Sequence, residues 1–219
     1  MELKKFESEQ YGPLSIKLCQ NDELHDRAFR LRYNAYISQD AIQPNQDHRF
    51  TDYYDPMINT ATFLLEHPEY PIGSIRACVY GDEFPTQKLP AFEVYLQDIE
   101  RELGLNKNLV ESCRFVVNPE LKRSYGPQVY LFRMILLNAL TYQADFIITA
   151  VRKKHVRFYK RMFGFLPISE AKPYPGLTVE MVLISLTRED YLAAANRIPE
   201  LHIEDHEIRE YRQCLEKQL

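Results

Sequence analysis

Charged residues stand where an ordinary surface would not put them. Arg76 lies in the run Pro71–Tyr80 and Arg114 in the run Val110–Val117, and both runs are otherwise mostly apolar and strand-like. An unpaired charge inside such a run is expensive, so each arginine calls for a counter-charge. Asp52 and Asp55, in Asp52-Tyr53-Tyr54-Asp55, and Glu111, in Glu111-Ser112-Cys113-Arg114-Phe115-Val116-Val117, are the candidates. Residues 111 and 114 face opposite sides of a regular strand, and a bulge would bring them together. Carboxylates and a thiol among arginines are the groups of proton transfer and nucleophilic attack. Any one of these charges also fits a surface ion pair, the usual case and one worth little. Cys113 is a nucleophile by type, but no matching histidine accompanies it.

A second charge feature is Arg152-Lys153-Lys154-His155-Val156-Arg157-Phe158-Tyr159-Lys160-Arg161. It holds six Lys and Arg and no acid, in a chain of net charge −4. It reads as a dock for an acidic partner or as a solvated helix face. Nucleic acid is the weak third reading, because the chain as a whole is acidic and no exposed aromatic platform accompanies the run.

The elements that must position these residues follow from periodicity and punctuation. Leu14–Leu18 reads as a strand. Asn21 is an N-cap before a helical stripe, Leu24, Ala28, Leu31 and Ala35, that carries Arg32 and Tyr36. Residues 41–55 are polar and aperiodic, a long loop of the kind that is often functional. Thr60–Glu66 and Pro71–Tyr80 form a hairpin, and Phe92–Leu103 a helix ended by Gly104. Val110–Val117 is a strand. Gln128–Gln143 is apolar almost all round, a helix buried against a sheet, with Pro127 at its first position. Asp145–Val151 is a strand, Lys154–Phe163 a helix stopped by Gly164, Phe165–Ile168 and Leu177–Leu186 strands, and 188–196 and 204–217 helices. A hairpin followed by alternating strands and helices predicts an α/β fold, a mixed central sheet flanked by helices on both faces.

The order of elements and the run Phe158-Tyr159-Lys160-Arg161-Met162-Phe163-Gly164-Phe165 resemble the closing motif of the GCN5-related N-acetyltransferase fold. Arg32-x-x-x-Tyr36, Asp52-x-x-Asp55, Arg76 on a strand and Glu111-x-x-Arg114-Phe115-x-Val117 are similar to the signatures of acyl-homoserine-lactone (autoinducer) synthases and the related long-chain N-acyl amino acid synthases. The likeness runs from about residue 24 to residue 186. Tyr36 stands where phenylalanine is usual. The tryptophan that autoinducer synthases carry nearby is missing, since the chain has none. That departure favours the amino acid synthase branch over a lactone synthase using S-adenosylmethionine.

The resemblance implies attack of an amine on an acyl thioester. It makes Glu111 the base, directly or through one water, Arg114 its companion, and Tyr159 the group at the leaving thiolate. A core tyrosine is the equal alternative for Tyr159. Arg32, Tyr36, Asp52, Asp55, Arg76, Phe115 and Val117 would shape the substrate site, and a backbone N–H near Val116–Val117 would meet the carbonyl oxygen. Arg123, Gly126 and Gln128 fall where that fold binds the phosphopantetheine phosphate at a helix N-terminus. Pro127 removes one donor there, which suits the single phosphate of an acyl carrier protein better than coenzyme A. Arg152, Lys153, Lys154, Arg157, Lys160 and Arg161 would then dock acyl carrier protein. Phe63, Leu65, Ile75, Val79, Phe115, Leu136, Ile147 and Leu183 are candidates for an acyl tunnel, and equally for ordinary core.

The expected function is transfer of a fatty acyl group from acyl carrier protein or acyl-CoA to the amine of an amino acid or a related small amine, with no permanently bound cofactor. A catalytically silent module that binds carrier protein or lipid is the alternative of another class. The 45% hydrophobic and 26% charged composition excludes disordered and collagen-like classes. No apolar run approaches the ~18 residues of a membrane span. No signal core follows the N-terminal lysines, so the cytoplasm is the expected compartment. Cys19, Cys78, Cys113 and Cys214 are too far apart in sequence for a zinc knuckle, and no metal is expected. Residues 1–187 are expected to form the acyltransferase domain and 188–219 a helical extension.

Overall fold

Four of the seven residues in Glu2–Ser8 (β1) are charged and none is buried. Alternation therefore carries no hydrophobic signal there, and sequence patterning does not announce this edge strand. In the computed structural model, which describes residues 1–8, 11–121 and 126–216, β1 pairs antiparallel with Gly12–Leu18 (β2). Helix α1 (Asp22–Ile37) starts as expected: the Leu24 N–H donates to Asn21 Oδ1 at 2.9 Å. Ala28, Leu31 and Ala35 bury its stripe.

The hairpin is Thr60–Glu66 (β3) and Pro71–Tyr80 (β4), followed by Phe92–Glu102 (α2) and Leu109–Val117 (β5). Gly126–Thr141 (α3) leads to Phe146–Val151 (β6). A 3-10 turn, Lys153–His155, precedes Val156–Phe163 (α4), closed by Gly164 at φ 99°. Two-residue strands Leu166–Pro167 (β7) and Lys172–Pro173 (β8) come before Glu180–Thr187 (β9). Residues 177–179, expected in that strand, lie outside it. Arg188–Arg197 (α5) and Asp205–Glu216 (α6) end the chain's described part.

The strands run β1-β2-β3-β4-β5-β6-β9-β7, with β8 also on β9. Only β5 and β6 pair parallel; the other pairs are antiparallel. Helix α3 is buried nearly all round because the sheet covers one side and the C-terminal helices the other. The Tyr191 hydroxyl donates to the Ala144 carbonyl at 2.8 Å, and the Tyr211 hydroxyl to Asn138 Oδ1 at 3.0 Å. Helix α2 covers the opposite face through Tyr95 and Ile99, which pack with Leu109, Ile148 and Leu183.

Two departures from regular pairing position everything that follows. The β5–β6 ladder holds only from Leu109–Phe146 to Glu111–Ile148, although β5 continues to Val117 and β6 to Val151. The two strands part beyond that point. On its other side β5 is bulged: Ser74 faces Val116 and Arg76 faces Cys113, so Arg114 and Phe115 together oppose Ile75. Arg114 takes the left-handed conformation, φ 52°, that makes the bulge.

Candidate active site

The bulge sets which way the β5 side chains point. It brings Arg114 to the face of Glu111 and Cys113, where regular alternation would have turned it away. There it meets the loop between α1 and β3. Arg76 Nη1 donates to Asp52 Oδ1 at 2.6 Å and to Asp55 Oδ1 at 2.8 Å, and its Nη2 to Asp52 Oδ2 at 2.9 Å. Arg114 donates to Asp52 Oδ2 through Nε at 3.1 Å and also through Nη2. Arg32 Nη1 donates to Asp55 Oδ1 at 2.7 Å and its Nη2 to Thr62 Oγ1 at 3.0 Å. The loop is wound around these carboxylates: Asp52 N–H donates to Asp55 Oδ2 and Tyr54 N–H to Asp52 Oδ1, each at 2.9 Å. Burial opposes ionisation of both aspartates, but the arginines outweigh it and hold both carboxyls below the usual range. The Arg114 guanidinium also lies 4.3 Å over the Phe50 ring, which packs on Tyr36.

Glu111 departs from expectation. It is fully buried, yet it makes no ion pair with Arg76 or Arg114 among the described residues. Asp52 and Asp55 already occupy those guanidiniums. Glu111 Oε2 instead accepts from the Ala91 N–H at 2.8 Å, and Oε1 has no partner. Burial first, then the neighbouring Cys113, pushes its carboxyl well above the ordinary range. A small void of about 30 Å³, bounded in part by Arg76, Pro90, Glu111, Arg114 and Tyr174, adjoins it. That is room for about one water.

The void shares Tyr36, Cys113, Arg114, Ala150, Leu177 and Met181 with a larger cleft of about 440 Å³. The cleft lies where β5 and β6 part. Cys113–Val117 form one wall, Thr149–Arg152 the other, and Gln128 lines it from the first turn of α3. Gln128 Oε1 is buried without a partner. Beyond Glu111 the β6-facing edge of β5 has no strand against it among the described residues, so its backbone groups are open to a ligand. Tyr159 is buried in an aromatic cluster with Phe115 and Phe165 and also lines the cleft. Burial, reinforced by Tyr36, raises its phenol, so the hydroxyl keeps its proton.

The structure thus brings Tyr36, Asp52, Asp55, Arg76, Arg114, Phe115, Val117, Gln128 and Tyr159 to one cleft or its immediate support, with Arg32 bracing Asp55 from behind. Gly126 begins α3, so Pro127 is its second residue rather than its first. Arg123 lies outside the described residues. Lys153, Lys154, Arg157, Lys160 and Arg161 are exposed on the turn and helix whose Arg152, His155, Phe158 and Tyr159 line the cleft, with no ion pair among the described residues; Arg152 donates to the Gln39 side chain and carbonyl at 3.3 Å. Of the eight residues that fitted either an acyl tunnel or ordinary core, only Phe115 lines the cleft. Phe63, Leu65, Ile75, Val79, Leu136, Ile147 and Leu183 are buried core. Sequence reasoning missed Tyr174, Leu177 and Met181, which reach the site from the segment before β9 and from its start. Leu177 and Met181 read as ordinary residues of a strand and Tyr174 as part of a loop, with no charge or motif to mark them.

The model of the N-acyl amino acid synthase FeeM family matches residues 27–187. The chain belongs to this family. No curated protein matches it. The FeeM structure, an N-acyl amino acid synthase from uncultured soil microbes, superposes with a TM-score of 0.69 at 24% identity, over 84% of this chain and 97% of that one. The acyl-homoserine-lactone synthase LasI gives 0.63 at 13%, over 84% and 95%. A CoA-dependent acyl-homoserine lactone synthase, BjaI, with SAM and isopentyl-CoA, gives 0.56 at 16%, over 81% and 82%. The fold is the N-acetyltransferase-like one, and the chain is an acyltransferase. No described helix is long and apolar enough to cross a membrane.

Proposed function

We propose that this chain is an N-acyl amino acid synthase: it moves a fatty acyl group from a phosphopantetheine thioester to the α-amine of an amino acid, in the cleft between β5 and β6. The observation that carries the reading is the unpartnered Glu111 oxygen beside a one-water void that opens into the cleft. A thioester lying along the free edge of β5 accepts a backbone hydrogen bond at its carbonyl oxygen near Val116–Val117. Glu111, once ionised, takes a proton from the acceptor ammonium through the water in the void. The neutral amine attacks the carbonyl carbon, the C–N bond forms, the C–S bond breaks, and the surplus proton on nitrogen passes to the departing sulfur, which leaves as thiol. Tyr159, whose raised phenol resists giving up its proton, donates a hydrogen bond to the departing sulfur. Arg114 and Phe50 face the acceptor, and Asp52, Asp55, Arg76 and Arg32 hold that wall in place.

For the donor, Gly126 and Gln128 mark the pantetheine entrance, and the five exposed cations on and before α4 meet an acidic carrier protein. Coenzyme A, the donor of BjaI, is the other source of the same thioester. Residues 1–187 carry the chemistry and 188–219 support α3 from outside.

Product analysis tests the reading. Extracts of bacteria expressing the chain should contain N-acyl amino acids by mass spectrometry. N-acyl homoserine lactones instead would make S-adenosylmethionine the acceptor source, and neither product would leave only a binding module.

A further inference from the structure

The cluster of guanidiniums and carboxylates does not balance by itself. Arg32, Arg76 and Arg114 pair only with Asp52 and Asp55 among the described residues, and Glu111 makes no ion pair with them. A sulfur is also within reach: Arg76 Nε donates to Cys113 Sγ at 3.1 Å. Cys78 Sγ, from the adjacent strand β4, lies 3.8 Å from Cys113 Sγ and 3.3 Å from Thr60 Oγ1. Cys78 is fully buried, whereas Cys113 lines both the cleft and the void. A small oxidant entering the cleft therefore meets one sulfur of a touching pair, and the other waits behind it.

We propose that Cys113 is an oxidation site, and that Cys78 resolves its sulfenic acid into a disulfide between β4 and β5 that weakens acceptor binding. The last clause rests on the cleft being the acceptor site. With hydrogen peroxide the Cys113 thiolate attacks one oxygen and the O–O bond breaks, giving Cys113–SOH and hydroxide. The Cys78 sulfur then attacks the sulfenic sulfur. The S–S bond forms, hydroxide leaves and takes the Cys78 proton as water. The two sulfurs lose two electrons and peroxide gains them.

The four cysteines are not equivalent. Burial pushes the Cys19 thiol up to about 12. Burial would also raise Cys113, but the hydrogen bond from Cys78 and the charge of Arg76 outweigh it and bring Cys113 down to about 6. Oxidation removes the sulfur anion that Arg76 Nε donates to. Arg76 is the residue that ties Asp52 and Asp55, and with them the loop, to the sheet. The acceptor wall loses part of its support.

The test treats the purified full chain with graded hydrogen peroxide and reads two things. Peptide mapping without reductant should show a Cys78–Cys113 disulfide formed ahead of any change at Cys19 or Cys214. The acceptor KM should rise on the order of tenfold, the scale of one charge-assisted hydrogen bond, with recovery by dithiothreitol. Cys78→Ser should leave a dimedone-reactive sulfenic acid at Cys113 and no disulfide. Cys113→Ser should lose peroxide sensitivity relative to its own untreated rate. Cys113 staying reduced while Cys19 or Cys214 oxidises overturns the site. A mapped disulfide with an unchanged acceptor KM overturns its effect on the cleft. If the untreated chain transfers no acyl group, the functional reading fails, and the peptide map still decides the disulfide.

Discussion

Glu111 holds one oxygen on the Ala91 amide and leaves the other bare, and burial keeps it protonated to higher pH than an ordinary carboxyl. As the base it works only when ionised, so turnover should rise with pH along a limb lying above the ~4.3 of a free glutamate. Glu111→Gln should cost on the order of 10²-fold in turnover and abolish that limb; a variant retaining both would remove Glu111 from the reaction. Stability gives a second, independent reading. A carboxyl whose folded pKa is raised stabilises the fold while protonated, and that contribution is lost as pH rises through the folded pKa. Glu111→Gln should therefore gain in Tm relative to the parent as pH increases, and a constant difference across pH would contradict the burial argument. Glu111 and Arg114 were legible in sequence because charges interrupt an apolar run. That Glu111 would stand unpaired was not, because the competition between Asp52, Asp55 and Glu111 for two guanidiniums is settled in three dimensions.

At the scale of elements, the bulge in β5 and the loop before β3 act together. The hairpin, α1, α3 and the helix ending at Gly164 follow from periodicity and caps, whereas the spacing of Glu111 and Arg114 says only that a bulge would bring them to one face. The parting of β5 and β6 does not. Beyond Glu111 and Ile148 both strands stay strand-like, Ser112 and Arg114 aside, and nothing in their composition says that they cease to pair. Arg114 carries the bulge's positive φ and one side of the Asp52 pair, with its side chain almost buried. Arg114→Ala should lose about 3–5 kcal/mol, the cost of leaving a buried partner unpaired, and activity with it. Asp52→Asn preserves volume and one set of hydrogen bonds. It should cost less stability while raising the acceptor KM, which urea denaturation and steady-state kinetics would separate. Equal stability losses in the two variants would mean that the loop, rather than the charge pairing, holds this wall.

Over the whole molecule, charge is divided. The chain is acidic, yet the turn and helix that wall the cleft through His155, Phe158 and Tyr159 carry Lys153, Lys154, Arg157, Lys160 and Arg161 exposed. Reversing Lys153, Lys154 and Arg157 to Glu should weaken transfer from a carrier-protein donor and flatten its salt dependence, and affect a small pantetheine thioester much less. Equal losses with both donors would make the patch part of the cleft rather than a dock. The C-terminal helices pack on the domain, with Tyr191, Leu201 and Tyr211 in the main core with α3. Their apolar residues are few and widely spaced, so sequence alone understates how deeply they are built in. The central claim is that thioester cleavage and amide formation are one event in the cleft. The direct measurement follows thiol release and N-acyl amino acid together, in a reaction of purified chain, acyl carrier protein thioester and amino acid. The account predicts equal amounts of both, release that depends on the amino acid, and loss of both in Glu111→Gln. Thiol release that proceeds without the amino acid, or that yields no amide, would contradict it.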